Sequence, residues 1–143
     1  MKKLALLAGL FVIAVLADVL FSPAAVQVKK GKTRIAETEQ LMEGIVFPNC
    51  AGLGKALKGK GPADDKAWKK AASKAACLNE ASYILMQDGR CPDGVWAKAA
   101  KTTLRKGSAD VLAALEKKDL TAARAAFKVT TSACASCHKK HRK

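Results

Sequence analysis

Histidine is nearly absent from this chain: 143 residues hold only two, His138 and His141. Such scarcity argues against a zinc site drawing on histidine for its fourth ligand, and no serine–histidine–acid set is apparent. Alternating apolar and polar runs are missing too, so neither a sheet nor a thioredoxin-like succession of strands and helices is expected. There is no phosphate-binding glycine loop and no carboxylate pair with a site around it. These absences argue against an enzyme. Acidic residues number 12 against 26 lysines and arginines, a formal charge of +14. That excess favours acidic partners or anionic surfaces and says nothing about fold. The lysines are spread along the chain and form no dense arm, so nucleic acid is not an expected partner.

Only one stretch is apolar without a break, and it is short. Met1-Lys2-Lys3 is followed by an apolar run from Leu4 to Leu16, then Asp18 and the small residues of Ser22-Pro23-Ala24. This is the pattern of a signal peptide, residues 1–24, cleaved near Ala24. The run is too short for an ordinary membrane span, although an uncleaved N-terminal anchor would be the alternative. Export to the periplasm is therefore expected, with one domain over residues 25–143. Losing Lys2, Lys3 and Asp18 with the leader would change the formal charge to +13.

Four helices are expected after a loose entry at Val26–Lys32. The first begins at Thr33, with Ile35, Met42, Ile45 and Val46 on one face, and Pro48 should end or kink it. Residues 52–57 are either its continuation or a folded loop, before the break at Gly59-Lys60-Gly61-Pro62. The second starts near Ala63 and repeats Ala67, Ala71, Ala75, Leu78, Ser82 and Leu85, with Gly89 as a cap. A third runs from about Asp93 to Lys117 with Trp96, Ala100, Thr103, Gly107 and Val111 as its seam. Gly107 costs about 1 kcal/mol relative to alanine in a helix. It either breaks that helix or makes room for something bulky. The fourth follows an N-cap at Asp119 and places Leu120, Ala123, Phe127, Thr130, Cys134, Cys137 and His141 on one stripe. With short connections, the pattern predicts an all-α, antiparallel up-down-up-down four-helix bundle.

The fourth helix ends in Cys134-Ala135-Ser136-Cys137-His138, a C-x-x-C-H sequence. Residues three and four apart lie on one side of a helix, so both thiols and the imidazole can address one flat object. C-x-x-C-H is the attachment signature of a c-type haem: Cys134 and Cys137 bond the porphyrin, and His138 supplies an axial nitrogen to its iron. Such haem is attached outside the cytoplasm, which agrees with the leader. Three further cysteines, Cys50, Cys77 and Cys91, sit where disulfides are permitted. Their number is odd; Cys91 could fold back on Cys77, or they could remain buried thiols.

These residues resemble the cytochrome c′ family, class II c-type cytochromes with haem near the C-terminus of a four-helix bundle. The likeness runs from Trp96 to the end: a tryptophan early in the third helix, an acidic residue before the last, Phe127, and then Cys134, Cys137, His138 and Arg142. His141 stands where the family has an aromatic residue, and the first helix lacks the family's usual arginine. The resemblance implies one covalent haem, thioethers at Cys134 and Cys137, His138 as proximal ligand and Arg142 beside a propionate. The distal residue is Met42 or Glu43, depending on alignment, and periodicity favours Met42. Met86, near a helix end, is a weaker candidate.

Three functions follow as expectations. The first is an exported electron carrier that passes single electrons between acidic redox partners, steered by Lys139, Lys140, Arg142 and Lys143 around the haem edge. His141 is expected to face solvent or a propionate. The second is a five-coordinate relative that binds nitric oxide or carbon monoxide. The third is a haem-free basic bundle using its cysteines structurally. Family members often pair through the first two helices, so a homodimer is a further expectation; a membrane enters only if the leader is retained.

Overall fold

The structure, a computed structural model, describes residues 31–142. The expected leader at 1–24, the segment 25–30 and Lys143 lie outside the described residues. Within them the chain is all-α, with four helices and no strand.

The first helix, α1, spans residues 38–56 and has three parts: an α-helical turn Thr38–Leu41, a π-helical turn Met42–Val46 and an α-helix Phe47–Ala56. It starts five residues later than the periodicity predicts, because Glu37 and Gln40 form a reciprocal capping box. Ile35 consequently lies outside the helix and is 86% exposed, contrary to its expected place on the apolar face. The last residue of the expected loose entry, Lys32, is tied down, as are Thr33 and Arg34 after it, while residues 26–30 lie outside the described residues. Asp88 accepts from the backbone N–H of Thr33 and Arg34 at 2.9 and 2.8 Å, and its carbonyl accepts from Lys32.

Pro48 neither ends α1 nor marks a loop. A proline removes one backbone N–H and crowds the preceding turn. Here that preceding turn is the π-helical one, where Phe47 N–H reaches back five residues to the Met42 carbonyl. Asn49 Nδ2 then donates to the Ile45 carbonyl at 2.7 Å, giving that acceptor a partner. The helix runs on to Ala56.

Helix α2, Asp65–Ile84, is capped by Asp64, which accepts from Ala67 N–H at 2.7 Å. Its buried face carries Ala71, Ala75, Leu78, Ala81 and Ser82, close to the expected repeat. Gly89 is not its cap. The helix stops at Ile84, and Gly89 with Asp88 forms a later turn with both φ positive, at 76° and 59°.

Helix α3 spans residues 94–116 and again contains a π-helical stretch, Lys98–Leu104, between Gly94–Ala97 and Arg105–Glu116. The wider turn shifts the seam by one residue. Leu104 is buried where Thr103 was expected, and Ala99 joins Ala100 inside. Gly107 does not break this helix, nor does it make room for a ligand. Its missing side chain lets α4 approach: a Cβ there would lie 2.7 Å from Thr130 Oγ1.

Helix α4, Leu120–His141, begins at the expected cap, Asp119 accepting from Ala122 N–H at 2.9 Å. Ala123, Thr130, Ala133 and Cys137 form its buried stripe. Helix α2 packs on α1 and α3, and α3 packs on α4. The core between them is rich in alanine, with Leu53, Leu78, Val111 and Leu115 fully inside.

Candidate functional site

All four helices, or the residue just past one, meet at an apolar cavity beside the C-terminal motif. From α1 come Met42 and Val46; from the end of α2, Leu85; from α3, Trp96, Ala99, Ala100 and Leu104; from α4, Ala133, Cys134, Cys137 and His138. The cavity is half open to solvent and has room of about 50 Å³. Both π-helical turns border it, supplying Met42 and Val46 on one side and Ala99, Ala100 and Leu104 on the other. Single-turn π segments of this kind recur at functional sites because they re-aim side chains without ending the helix.

The motif side chains divide by burial. Cys137 is buried, and its thiol is pushed up to about 11, first by burial and then by the charge of Asp93. Cys134 is half-buried, and its thiol is also held up, chiefly by the neighbouring Cys50 side chain. His138 is half-buried and lies below the ordinary imidazole value, because burial and then the Arg142 charge disfavour its protonated form. A neutral imidazole keeps a lone pair free for a metal. Of the two distal candidates, Met42 lines the cavity and Glu43 is exposed. Met86 packs against the core but does not line the cavity. Arg142 follows the last turn of α4 and is exposed.

Two side chains frame the site from beneath. Trp96 is 3% exposed and donates from Nε1 to the Leu85 carbonyl at 2.8 Å, which ties the end of α2 to the start of α3. His141 does not face solvent. Its side chain is 9% exposed, stands edge-on to Trp96 with centroids 5.4 Å apart, and puts Nε2 3.3 Å from Asp93 Oδ1. It thus fills an aromatic position against the tryptophan. Asp93 caps α3 by accepting from Trp96 N–H and also pairs with Lys140 Nζ at 2.6 Å.

The remaining cysteines are free thiols. Cys77 is exposed on α2, and Cys91 is half-buried with its thiol 3.6 Å from the Asp93 carbonyl, so the expected contact between them is not made. Cys50 is half-buried on α1, and the neighbouring Cys134 side chain lowers its thiol to about 7. Sequence reasoning missed this neighbour, since nothing local in Asn49-Cys50-Ala51 points to the last helix. Among the described residues, no three histidine, cysteine or acidic side chains converge as metal ligands.

No protein-family model matches the chain, and no curated protein matches it significantly. The arrangement itself sets out the chemistry. Two thiols and an imidazole on the last helix, lining one apolar slot together with a thioether, could hold a flat group at its edge and bind a metal.

Proposed function

We propose that the chain is an exported c-type cytochrome of the cytochrome c′ kind, holding one covalent haem and carrying single electrons between redox partners. The observation that carries this is one cavity wall shared by Cys134, Cys137 and His138, with Met42 lining the same cavity from another helix. The donor set fits the group. Cys134 and Cys137 would hold it by thioethers, His138 would bind its iron, and Met42 would be the distal ligand. Ala99, Ala100 and Ala133 add little bulk to the lining, and the cavity opens to solvent on one side.

When bound, haem supplies a one-electron iron couple. The protein's share is to exclude water and fix the ligands. The lining is apolar apart from the motif itself, which favours the less charged, reduced state. Trp96 and His141 pack behind the motif, and Asp93 anchors the last turn through Lys140. Arg142, whose charge is felt at His138, would pair with a propionate.

The bundle we propose is antiparallel, up-down-up-down. Contacts between α1 and α4 step in opposite directions along the two helices: Arg124 with Leu57, Phe127 beside Gly54, Cys134 with Cys50. Lys118 at the end of α3 likewise pairs with Asp65 at the start of α2. The exposed cations Lys139 and Arg142 lie near the cavity and would attract an acidic partner. Periplasmic location follows from the leader and from the export that haem attachment requires.

The test is an absorption spectrum of the full chain matured in a host that attaches c-type haem. A covalent haem with a low-spin spectrum and a sulfur-to-iron band is expected. A chain without covalent haem would overturn the proposal. A high-spin spectrum shifted by carbon monoxide would replace electron transfer with gas binding.

A further inference from the structure

The entry to α1, residues 31–37, is gripped by the turn between α2 and α3. Asp88 supplies most of the grip. Its carbonyl accepts from Lys32 N–H at 2.8 Å, and its Oδ1 accepts from the Thr33 N–H and hydroxyl at 2.9 and 2.8 Å. Its Oδ2 accepts from Arg34 N–H at 2.8 Å. Arg90, on the same turn, donates from Nη2 to the Ala36 carbonyl at 3.0 Å, and its Nη1 lies 3.6 Å from Asp88 Oδ2. Gly31 completes the fit, since a Cβ there would come within 2.8 Å of Arg90 Cζ.

This grip is costly to maintain. Arg90 is 1% exposed, and among the described residues its Nε and Nη1 have no hydrogen-bond partner. A guanidinium so placed destabilises the fold unless its neighbours compensate. Asp88 has a φ of 59°, a left-handed conformation that side chains seldom adopt. Such features persist only where the surrounding structure enforces them, and they gather where a particular geometry is needed.

The geometry being held is that of the cavity wall carrying Met42. The α-helical start of α1 is only four residues long, Thr38–Leu41, and a π-helical turn follows at once. One turn of helix does not hold itself in place. Thr38 is buried, and Met42, one turn further along the same face, lines the cavity. The gripping turn is in turn fixed to other walls. Leu85 before it and Trp96 after it both line the cavity, and the Trp96 Nε1 hydrogen bond joins them. The start of α1 is therefore tied to the frame that also fixes Leu85 and Trp96.

We infer that Asp88 and Arg90 are positioning residues for Met42, keeping its sulfur within reach of the iron by fixing the entry to α1. The inference rests on the reading of Met42 as distal ligand. Neither residue lines the cavity, and each acts through the backbone of residues 32–36.

Two variants loosen the grip by different routes. Asp88→Asn replaces one accepting oxygen by an amide and removes the ion pair to Arg90. Gly31→Ala keeps both residues and pushes the entry away from them. Asp110→Asn breaks the exposed pair with Lys106 on α3 and serves as control. Where Asp88→Asn fails to fold, Gly31→Ala carries the test alone.

The first readout uses the full chains without haem, their helicity checked by circular dichroism. Amide hydrogen exchange at Thr33 and Arg34 should be at least about tenfold faster in both variants than in the native chain or the control. The second readout uses the chains after covalent haem attachment. The sulfur-to-iron band should fall by about half or more in both variants, with a lower reduction potential, and the control should keep both.

Faster exchange with an unchanged band and potential would overturn the inference, because the grip would then hold the entry and not Met42. Exchange unaltered in both variants would overturn it as well. So would an equal loss of the band in Asp110→Asn, which would mark general instability. These outcomes leave the haem reading standing. A native chain that takes up no haem, or shows no sulfur-to-iron band, would instead remove the reading of Met42 as ligand, and the inference with it.

Discussion

Gly107 of α3 lies directly against Thr130 of α4, and nothing larger than its hydrogen fits between them. A Cβ on residue 107 would fall 2.7 Å from Thr130 Oγ1 and 3.1 Å from that residue's backbone Cα and N. The hydroxyl cannot easily retreat, because Thr130 is fully buried and donates to the Ala126 carbonyl at 3.0 Å. Gly107→Ala gains up to about 1 kcal/mol of helix propensity. Overpacking a close crossing costs about 1–3 kcal/mol. The expected net result is a destabilisation of up to about 2 kcal/mol, read as a lower urea midpoint at unchanged slope. An increase in stability would mean that the helices can separate without loss.

Acid should loosen the end of α4 through Asp93. Its carboxyl is lowered to about 2, first by the hydrogen bond from Lys140 and then by the Trp96 N–H. In the unfolded chain an aspartate titrates near 3.9. A group lowered on folding adds stability above its unfolded value and loses it as pH falls through its folded one. Asp93 should therefore contribute above about pH 4 and nothing below about pH 2. Asp65 and Asp88 are lowered as well, so the native chain weakens in the same range for several reasons. The informative quantity is the difference from Asp93→Asn. That variant should be less stable than the native chain at pH 6, and the gap should close on approach to pH 2. A gap constant with pH would show that the carboxylate charge is irrelevant.

If an acidic protein docks at the cavity mouth, its electron-transfer rate should fall as salt rises. Lys139 and Arg142 are exposed, whereas Lys140 is already occupied by Asp93. Between about 10 and 200 mM salt the screening length shortens severalfold, and a fall of roughly tenfold in the second-order rate is expected. Lys139→Glu with Arg142→Glu should flatten that dependence more than Lys140→Gln does. Stopped-flow reduction by an acidic single-electron donor would measure it, and a rate indifferent to salt would exclude electrostatic docking.

Local pattern made much of this legible. The C-x-x-C-H spacing needs only one helix turn to bring its side chains together, and Met42 shares a face with Ile45 and Val46 by simple periodicity. Asp64 and Asp119 cap their helices for reasons written within three residues of each. What the sequence concealed depends on residues far away in the chain. Gly107 reads as a weak helical position until Thr130 is seen against it, and Cys50 has no meaning without Cys134. The π-helical turns are hidden in another way, since one extra residue per turn leaves composition unchanged while shifting burial from Thr103 to Leu104. Spacing puts His141 on the apolar stripe, but nothing near it in the sequence names Trp96 and Asp93, which hold it.

Met42 separates the two haem-bearing functions, and its position supports a definite expectation. It comes from the π-helical turn of α1 and lines the same cavity as His138, while Glu43 beside it is exposed. A thioether ligand raises the reduction potential and holds the sixth position. Methionine also serves well as plain apolar filling. Met42→Ala distinguishes the roles. If the sulfur is a ligand, the variant loses its sulfur-to-iron band, becomes high-spin, lowers its potential and binds carbon monoxide when reduced. Met42→Leu keeps the apolar volume and should behave the same way, which separates ligation from packing. If instead the native chain is already high-spin and Met42→Leu leaves its spectrum unchanged, the sulfur is filling and the open iron makes gas binding the better reading.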